Sequence, residues 1–485
     1  MPDMSKLQVK MPEQPADLRA KNFDEVALGY DEEMAVSEAS RCLNCKTSPC
    51  AKGCPVHIDI SLFINKLANR DFDAAFGVIR EANALPAICG RVCPQENQCE
   101  KLCVRGKTGE PVAIGNLERF LADRALIGQA LRVTTAVHAR VTEGALNVSH
   151  PEARGDDKRR VAVVGSGPAS LTCAGALAKY GFGVTIFESL HTAGGVLSYG
   201  IPEFRLPKEV VRKEIDLLLA EGVDIVYDTV VGKTIDIYDL FSDGYGAVFL
   251  GTGAGLPSFM NIPGENLCGV YSANEFLTRV NLMRAYLFPE TDTPVRRGKR
   301  VAVFGGGNVA LDAARCARRL GAEEVYIVYR RSEDEMPARA EEIRHARDEG
   351  IIFQILTNPT RILGDENGWV RGIECLRMEL GTPDESGRKS PVPVKGSEFI
   401  LEADTVIVAI GQSPNPMVIK STPELKISPW GGIKADAETG ATSMQGVFAG
   451  GDNVSGAATV ILAMGAGKAA AESIGQYLRG FSAKL

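Results

Sequence analysis

The stretch Arg160–Glu188, RVAVVGSGPASLTCAGALAKYGFGVTIFE, decides the fold, because its design returns at Arg300–Arg331 as RVAVFGGGNVALDAARCARRLGAEEVYIVYRR. In each copy an apolar run of strand length enters a glycine-rich turn. An amphipathic run at helical spacing follows, and a second strand starts near residue 184 or 325. Two dinucleotide-binding βαβ units are expected. Gly165 and Gly305 make the tight turns. Gly167 and Gly307, the latter followed by Asn308, let the backbone approach a pyrophosphate held by free N–H groups at the helix N-terminus. The third position, where a small residue allows close helix–strand packing, is Ser170 in one copy, a mild departure, and Ala310 in the other. One such fingerprint is weak evidence, since glycine-rich turns are common; two, each between a strand and a helix, carry the reading.

The end of the second strand separates the copies. The first finishes on Glu188, 23 residues after Gly165, where a carboxylate can accept both ribose hydroxyls of an adenosine and would repel a 2′-phosphate. In the second copy the matching position is Tyr329, followed by Arg330 and Arg331, whose guanidinium forks suit a phosphate. The first site therefore reads as FAD and the second as NADP(H). The alternative for the arginine pair is a solvated basic turn.

The 485 residues, 45% hydrophobic with 51 glycines, fit a multidomain α/β globular protein. A net charge of −7 without a basic tract argues against nucleic acid or an anionic membrane as partner. The N-terminal sequence lacks the apolar core of a signal peptide and no segment is apolar for the length of a membrane span, so a cytoplasmic location is expected.

Eight of the twelve cysteines lie between residues 42 and 103, as Cys42, Cys45, Cys50, Cys54 and then Cys89, Cys93, Cys99, Cys103. Disulfides are disfavoured in a reducing compartment. Zinc sites usually pair close ligands across a longer loop, often with histidine, and here only His57 is near. The first group runs C-x2-C-x4-C-x3-C-P, similar to a bacterial ferredoxin run with a lengthened middle gap, which favours iron–sulfur clusters. In two-cluster ferredoxins the cysteine before proline ligates the other cluster. Applied here, Cys42, Cys45 and Cys50 share one [4Fe–4S] cluster with Cys103, and Cys54 joins Cys93 and Cys99 at a second. Cys89 is left ambiguous. The intervening ISLFINKLANRDFDAAFGVIREAN has helical spacing, with Leu62, Phe63 and Leu67 expected in the core.

Residues 140–160 are polar and read as a linker. After Glu188, Gly194 and Gly195 allow backbone to lie against a ligand, with Arg205 and Lys208 available for phosphate. Thr252 and Gly253 close a later strand, and LEADTVIVAIGQSPNP echoes that strand. Gly451 and Asp452 precede a small-residue helix that begins near Thr459; the carboxylate can bond a ribityl hydroxyl while the helix N-terminus faces a flavin carbonyl, the alternative being a plain N-cap. The expected domains are a helical iron–sulfur domain over 1–145, a discontinuous FAD domain over 159–295 and 401–485, and an NADP(H) domain over 298–400.

With these residues assembled, the chain resembles, end to end, the small subunit of bacterial NADPH-dependent glutamate synthase. The likeness rests on CGRVCPQENQCEKLC, EPVAIGNLERF, GGVLSYGIPEFRLPK, GGGNVALDAARCARRLGAEEVYIVYRRSEDEMPAR and GVFAGGDNVSGAATVILAMGAGKAAAES. The N-terminal stretch also resembles the large subunit of the electron-bifurcating NADH-dependent ferredoxin:NADP oxidoreductase. The resemblance implies two glutathione-reductase-like FAD/NAD(P) domains after a helical domain with two [4Fe–4S] clusters. It also implies electron flow from NADPH through FAD and clusters to a second protein, either a glutamate synthase large subunit or a flavin/[2Fe–2S] subunit. In that family a carboxylate or amide just after the IG-x-L stretch completes the second cluster, and IGNLERF places Glu118 there. No glutamine-hydrolysing N-terminal cysteine is present, so the chain is expected to supply electrons rather than make glutamate. A thioredoxin-reductase-like activity would need a CxxC, where the second nucleotide unit has only isolated Cys316 and Cys375. A non-catalytic iron–sulfur scaffold or sensor is the alternative from another class.

Overall fold

The computed structural model describes residues 2–141, 160–384 and 387–482, so the linker expected over 140–160 falls almost wholly outside the described residues. The N-terminal part is helical, with α1 (Glu32–Ser40), α2 (Ile60–Ala68), α3 (Phe72–Ala82), α4 (Pro86–Val92) and α5 (Ile114–Val141) joined by short 3-10 turns. The first three start where an aspartate side chain accepts an otherwise orphaned backbone N–H: Asp31 from Met34, Asp59 from Leu62 and Asp71 from Ala74. Phe63 and Leu67 are fully buried, as their spacing requires, but Leu62 turns outward and is 43% exposed. Its position on α2 falls on the face away from the core.

The first repeat builds β1 (Arg160–Val164), α6 (Pro168–Lys179), β2 (Gly183–Phe187), α7 (Lys208–Ala220), β3 (Val223–Val226) and β4 (Ala247–Leu250). The second builds β5 (Val270–Ser272), β6 (Arg300–Phe304), α8 (Asn308–Arg319), β7 (Glu324–Val328), α9 (Ala340–Asp348) and β8 (Ile352–Gln354). An antiparallel layer follows, of β9 (Thr357–Gly364), β10 (Val370–Pro383), β11 (Lys389–Pro393) and β12 (Phe399–Leu401), then β13 (Thr405–Val408), β14 (Val447–Ala449) and α10 (Val460–Ser482). Two parallel five-stranded sheets result, ordered β14-β4-β1-β2-β3 and β5-β13-β6-β7-β8. Both central strands are buried along their apolar residues; β6 packs against α8 on one face and against the antiparallel layer on the other. No described helix is long and apolar enough to cross a membrane.

The sheets correct the expected domain boundaries. β5 and β13 pair with each other, and β13 with β6, so residues 270–272 and 405–408 belong to the second nucleotide domain rather than the first. The chain crosses between domains where Leu256–Pro257 pairs with Gln412–Ser413. The inserted domain therefore runs from about 256 to about 412 instead of 298 to 400. The echo between VIVAIGQSP and VFLGTGAGLP is the reason: each is the fourth strand of its own repeat.

Three junctions fix the domains relative to one another. On α10, a Cβ at Gly467 would collide with the Ala169 carbonyl of α6, and one at Gly465 would lie 2.9 Å from the Pro55 carbonyl of the helical domain. Lys468 Nζ donates to the carbonyls of Val56 at 3.0 Å and Ala82 at 3.4 Å. Arg339 of the second nucleotide domain reaches Glu96 at 3.4 Å and donates to Gln95 Oε1 at 3.1 Å. The third junction is a buried ion network. Arg205, in the loop before α7, pairs with Asp312 of α8 at 2.7 Å and Glu342 of α9 at 2.9 Å. Glu342 also holds Arg315, which holds Glu349 at 2.8 Å. Phe204 lies under Arg319, its ring centroid 3.8 Å from the guanidinium carbon.

Replacing Arg205 with methionine leaves two carboxylates buried with one fewer cation, a defect that costs roughly 3–5 kcal/mol. Backbone hydrogen exchange across α8 and α9 should accelerate strongly in Arg205→Met and less in Arg205→Lys; protection equal to the parent protein in both would show that the network does not hold the domain.

Candidate dinucleotide and cluster sites

In the first unit, Val164 pairs with Phe187 and Leu250, which brings the glycine turn, Glu188 and the Gly251–Ala254 segment to one end of the sheet. Gly165 has φ +87°, and a Cβ there would sit 2.8 Å from the Gly251 carbonyl; around a Cβ at Gly167 the space is open, as ligand approach requires. The Ser170 departure has a partner: its hydroxyl donates to the Gly251 carbonyl at 3.4 Å, and Gly251 has no side chain to obstruct it. In the second unit Ala310 faces Ala409, the residue matching Gly251.

A cleft at this sheet end is lined by Gly165, Gly167, Glu188, Gly195, Thr252, Gly253, Gly451 and Asp452. Ser166, missed in the sequence, braces it: its N–H donates to Glu188 at 2.8 Å, its hydroxyl bonds the same carboxylate and accepts from the Gly194 N–H at 2.9 Å. Leu190 N–H donates to the other carboxylate oxygen at 2.9 Å. Tyr199, Gln412, Asn415 and Met417 also line the cleft and carried no sequence signal beyond proximity to glycine or proline turns. Burial raises the Asp452 carboxyl, and the Ala458 N–H opposes this. Thr459 lies outside the lining and braces the first turn of α10, its hydroxyl accepting from Leu462 N–H at 3.4 Å.

Arg205 and Lys208 correct the expectation of phosphate ligands. Arg205 is committed to Asp312 and Glu342, and Lys208 Nζ donates to the carbonyls of Ile201 at 2.6 Å and Leu206 at 2.8 Å. Burial pulls the Lys208 amine down to about 8. Both brace the loop from within.

In the second unit Phe304 pairs with Val328, so Tyr329 stands where Glu188 stands in the first. Its ring covers Gly306, leaving no room for a Cβ, and its hydroxyl donates to the Glu335 carbonyl at 2.9 Å. Gly305 has φ +141°, and Asn308 Oδ1 accepts from the Arg339 N–H at 3.0 Å. Arg330 is exposed. Arg331 is buried, pairing with Asp384 at 2.6 Å and donating to the Lys389 carbonyl at 2.8 Å. Of the two arginines expected to meet a 2′-phosphate, Arg330 is exposed and Arg331 is anchored.

The cysteines fall into two sets. Cys103 interacts electrostatically with Cys42 and Cys50, and Cys45 with Cys42. Cys93 shares a hydrogen bond with Cys89 and also interacts with Glu118, Cys99 and Cys54. Cys54 interacts with Cys89, Cys93 and Cys99 of the later group. Among the described residues, no three of these ligand atoms lie mutually within 4.8 Å. One tetrahedral zinc would hold its sulfurs about 3.8 Å apart; the wider spread and the all-thiolate first set suit a cluster. Glu118 is buried, accepts from Asn83 Nδ2 at 2.7 Å, and is pushed up to about 8 by burial. Cys89 is 1% exposed with Sγ 3.4 Å from Met464 Sδ of α10 and 3.7 Å from Asn83 Oδ1.

Residues 19–129 match the family described as dihydropyrimidine dehydrogenase domain II, 4Fe–4S cluster, and residues 159–467 match pyridine nucleotide-disulphide oxidoreductase. The chain is 42% identical over 441 residues to the NADP(+)-dependent formate dehydrogenase subunit beta of Moorella thermoacetica, covering 89% of this chain and 60% of that one. It is 36% identical over 481 residues to the glutamate synthase (NADPH) small chain of Escherichia coli, covering 97% of each. Among solved structures, FprA of Mycobacterium tuberculosis in complex with NADPH matches 67% of this chain and 86% of its own, with TM-score 0.57 and 22% identity, a likeness of fold.

Glu118 interacts electrostatically with Cys54, Cys93 and Cys99, as Cys89 does with Cys54 and Cys93, and Glu118 is expected to be the fourth ligand. Anaerobically prepared Cys89→Ala should keep eight irons per chain, whereas Glu118→Ala should lose or alter one cluster in low-temperature EPR. The reverse pattern would make Cys89 the ligand.

Proposed function

The chain belongs to the pyridine nucleotide-disulphide oxidoreductase family, and on that premise we propose that it is the NADPH-oxidising subunit of an electron-transfer complex, of the glutamate synthase small-chain type. The reading is carried by one observation: α10 joins the two kinds of site. Its Ala463 lines the flavin cleft, and the next residue, Met464, meets Cys89 beside the second cysteine set. When bound, FAD would accept hydride and the two [4Fe–4S] clusters would relay single electrons.

The chain's own residues would bind and orient. Gly165, Gly167 and the N-terminus of α6 would hold the FAD pyrophosphate, and Gly305, Gly307 and α8 that of NADP(H). Glu188 would accept the adenosine ribose hydroxyls, sharing its oxygens with the N–H groups of Ser166 and Leu190 and taking ribose in exchange for the serine hydroxyl. Cys42, Cys45, Cys50 and Cys103 would hold one cluster; Cys54, Cys93, Cys99 and Glu118 the other. Hydride transfer needs no side-chain acid or base, so the protein's part is to fix the angle between two rings, which a rigid domain junction favours. The twelve free cysteines suit a reducing cytoplasm.

The Moorella and Escherichia relatives are each named as one subunit or chain of an oxidoreductase, and a partner subunit follows for this chain by analogy. The chain spans about 60% of the length of the Moorella relative, whose formate chemistry is not carried over. A glutamate synthase large subunit, or a flavin/[2Fe–2S] subunit, is the proposed class of partner.

NADPH should bleach the flavin of the purified chain anaerobically and support reduction of a neutral quinone, while glutamine and 2-oxoglutarate yield no glutamate; glutamate formation by the chain alone would overturn the reading. Replacing Arg330 and Arg331 together by alanine should raise the KM for NADPH by one to two orders of magnitude, the loss of roughly 1–3 kcal/mol of charge-assisted bonds. KM for NADH should hardly move; equal losses with both would show that the pair does not read the 2′-phosphate.

A further inference from the structure

Where the first unit places Glu188 the second has Tyr329, yet a carboxylate reaches the same end of the sheet by another route. The first unit passes from β3 to β4 through residues 227–246, and the second from β8 to β13 through residues 355–404. The extra length is the antiparallel layer, whose β10–β11 hairpin extends to the segment that follows β7. Pro383 of β10 pairs with Lys389 of β11, and the turn between them is closed by the Asp384 N–H, which donates to the Arg388 carbonyl at 2.8 Å. The loop from β8 into β9 ties this hairpin down. Thr357 N–H donates to the Tyr329 carbonyl and Leu356 N–H to the Arg331 carbonyl, both at 3.0 Å, while the Leu356 carbonyl accepts from Met378 N–H of β10 at 2.8 Å. Leu356 has φ +48°, a left-handed conformation that a leucine keeps only where its surroundings impose it.

The hairpin holds Arg331 from both of its strands. Arg331 Nε donates to the Lys389 carbonyl at 2.8 Å and Nη2 to the Asp384 carboxylate at 2.6 Å, which leaves Nη1 without an acceptor among the described residues. Arg331 is 6% exposed, whereas the Asp384 side chain is 30% exposed and stands at the rim of the site. The acids that follow in sequence are turned elsewhere: Glu333 pairs with Arg347, and Glu335 bonds the Ser332 hydroxyl. Around Arg331, Arg330 and Lys389 are exposed and Arg388 is half-buried, its N–H donating to Asp384 Oδ1 at 3.3 Å. The Lys389 carbonyl shows that a neutral acceptor suffices to orient the guanidinium. Asp384 adds a negative charge, and that charge is what needs a reason.

We propose that Asp384 is a positioning residue that sets the strength of coenzyme selection, tethering Arg331 while weakening its pull on a 2′-phosphate. The inference rests on the reading of the second unit as the NADP(H) site and deepens it. A phosphate accepting from Nη1 of a guanidinium whose Nη2 is bound to a carboxylate brings two like charges to either side of one cation, and they repel. The 2′-phosphate is remote from the nicotinamide, so its contacts bind the reduced and oxidised coenzyme alike; affinity beyond what selection needs retains the product. A carboxylate on the binding arginine keeps the fork aimed and holds that affinity down.

The test uses the holoprotein, whose first nucleotide site is filled by FAD, and two probes without a nicotinamide: adenosine 2′,5′-bisphosphate and AMP. Both are titrated by calorimetry, the weaker by competition with the stronger. Asp384→Asn keeps an acceptor for Arg331 but removes the charge, and should bind the bisphosphate about fivefold tighter or more at low salt. The gain should shrink as ionic strength rises, with AMP unchanged. Asp384→Ala removes charge and tether together and should gain less. In turnover with quinone, Asp384→Asn should lower the KM for NADPH and strengthen product inhibition by NADP+ by a similar factor, with the KM for NADH unmoved. FAD and iron content in both variants should match the parent. Bisphosphate affinity unchanged or weaker in Asp384→Asn, or an equal shift with both probes, would overturn the role of Asp384 alone. So would a loss of AMP affinity without a gain for the bisphosphate, which would mark Asp384 as a ribose ligand. A parent protein that binds the bisphosphate no better than AMP would overturn the NADP(H) reading of the second unit, and this inference with it.

Discussion

The pairing of Arg205 with Asp312 and Glu342 is the constraint on which the rest of the arrangement depends, because it joins two nucleotide domains that the chain itself connects by only two crossings. Charges buried this deeply are costly to desolvate, and they persist only where each meets a counter-charge at close range. The balance shows in the carboxyls. Burial opposes ionisation of Glu342, yet Arg205 and Arg315 outweigh it and bring the group down to about 2. Glu349 is likewise brought to about 2 by Arg315 and Arg319 against the effect of burial. These two groups stabilise the fold throughout the pH range above the ordinary carboxylate value, and the contribution is lost only as pH falls through about 2. Asp312 goes the other way, raised by burial to about 6, so its charge at neutral pH is held at some cost by Arg205. An apolar junction could bind the domains as tightly; paired charges additionally fix one register between them, which ring stacking requires.

The N-terminal segment reinforces the same junction from the other side. Arg19 pairs with Glu349 at 3.2 Å and Glu13 at 2.9 Å, and Glu13 in turn holds Arg344 at 2.6 Å. Phe23 stacks on Tyr286 with centroids 4.2 Å apart. Glu13, Glu341 and His345 come within metal-ligating distance of one another, but Arg344 already occupies Glu13 and Arg339 pairs with Glu341 at 3.1 Å, so the group reads as part of the ion network.

What the sequence made legible was whatever depends on local backbone geometry. The glycine turns, the acid at Glu188 and its replacement by Tyr329 follow from strand–turn–helix spacing, and the strand registers place them as the alignment of the repeats did. The expectation that Cys54 serves the later group came from a spacing rule that reflects how a cluster draws ligands from two segments. Side-chain destinations were not legible. Arg205 and Arg331 have the chemistry of phosphate ligands, and nothing in their local sequence reveals that carboxylates from Asp312, Glu342 and Asp384 claim them. Leu62 failed for a related reason: helical periodicity places it one step from Phe63, and a single residue of rotation separates core from surface. The domain boundaries failed because the echo of the fourth strand was assigned to the wrong repeat, an ambiguity that only strand pairing resolves.

Depth also gives the two cysteine sets a direction. Adding an electron to a site surrounded by thiolates increases negative charge, and that is least favourable where water is excluded. Cys54, Cys89 and Cys93 are buried, Cys89 against α10, while Cys99 of the same set and Cys42, Cys45, Cys50 and Cys103 keep partial contact with solvent. Among the proposed ligands, added negative charge is least solvated at Cys54, Cys93 and Glu118. Lys46, Lys52, Lys101 and Lys107, exposed on the loops that carry the first set, act in the same sense, since positive charge there offsets an added electron. The second set has Glu118 and Glu214 nearby, and Glu214 interacts unfavourably with Glu118. Burial and fixed charge thus change together between the helix at the cleft and the lysine-bearing loops.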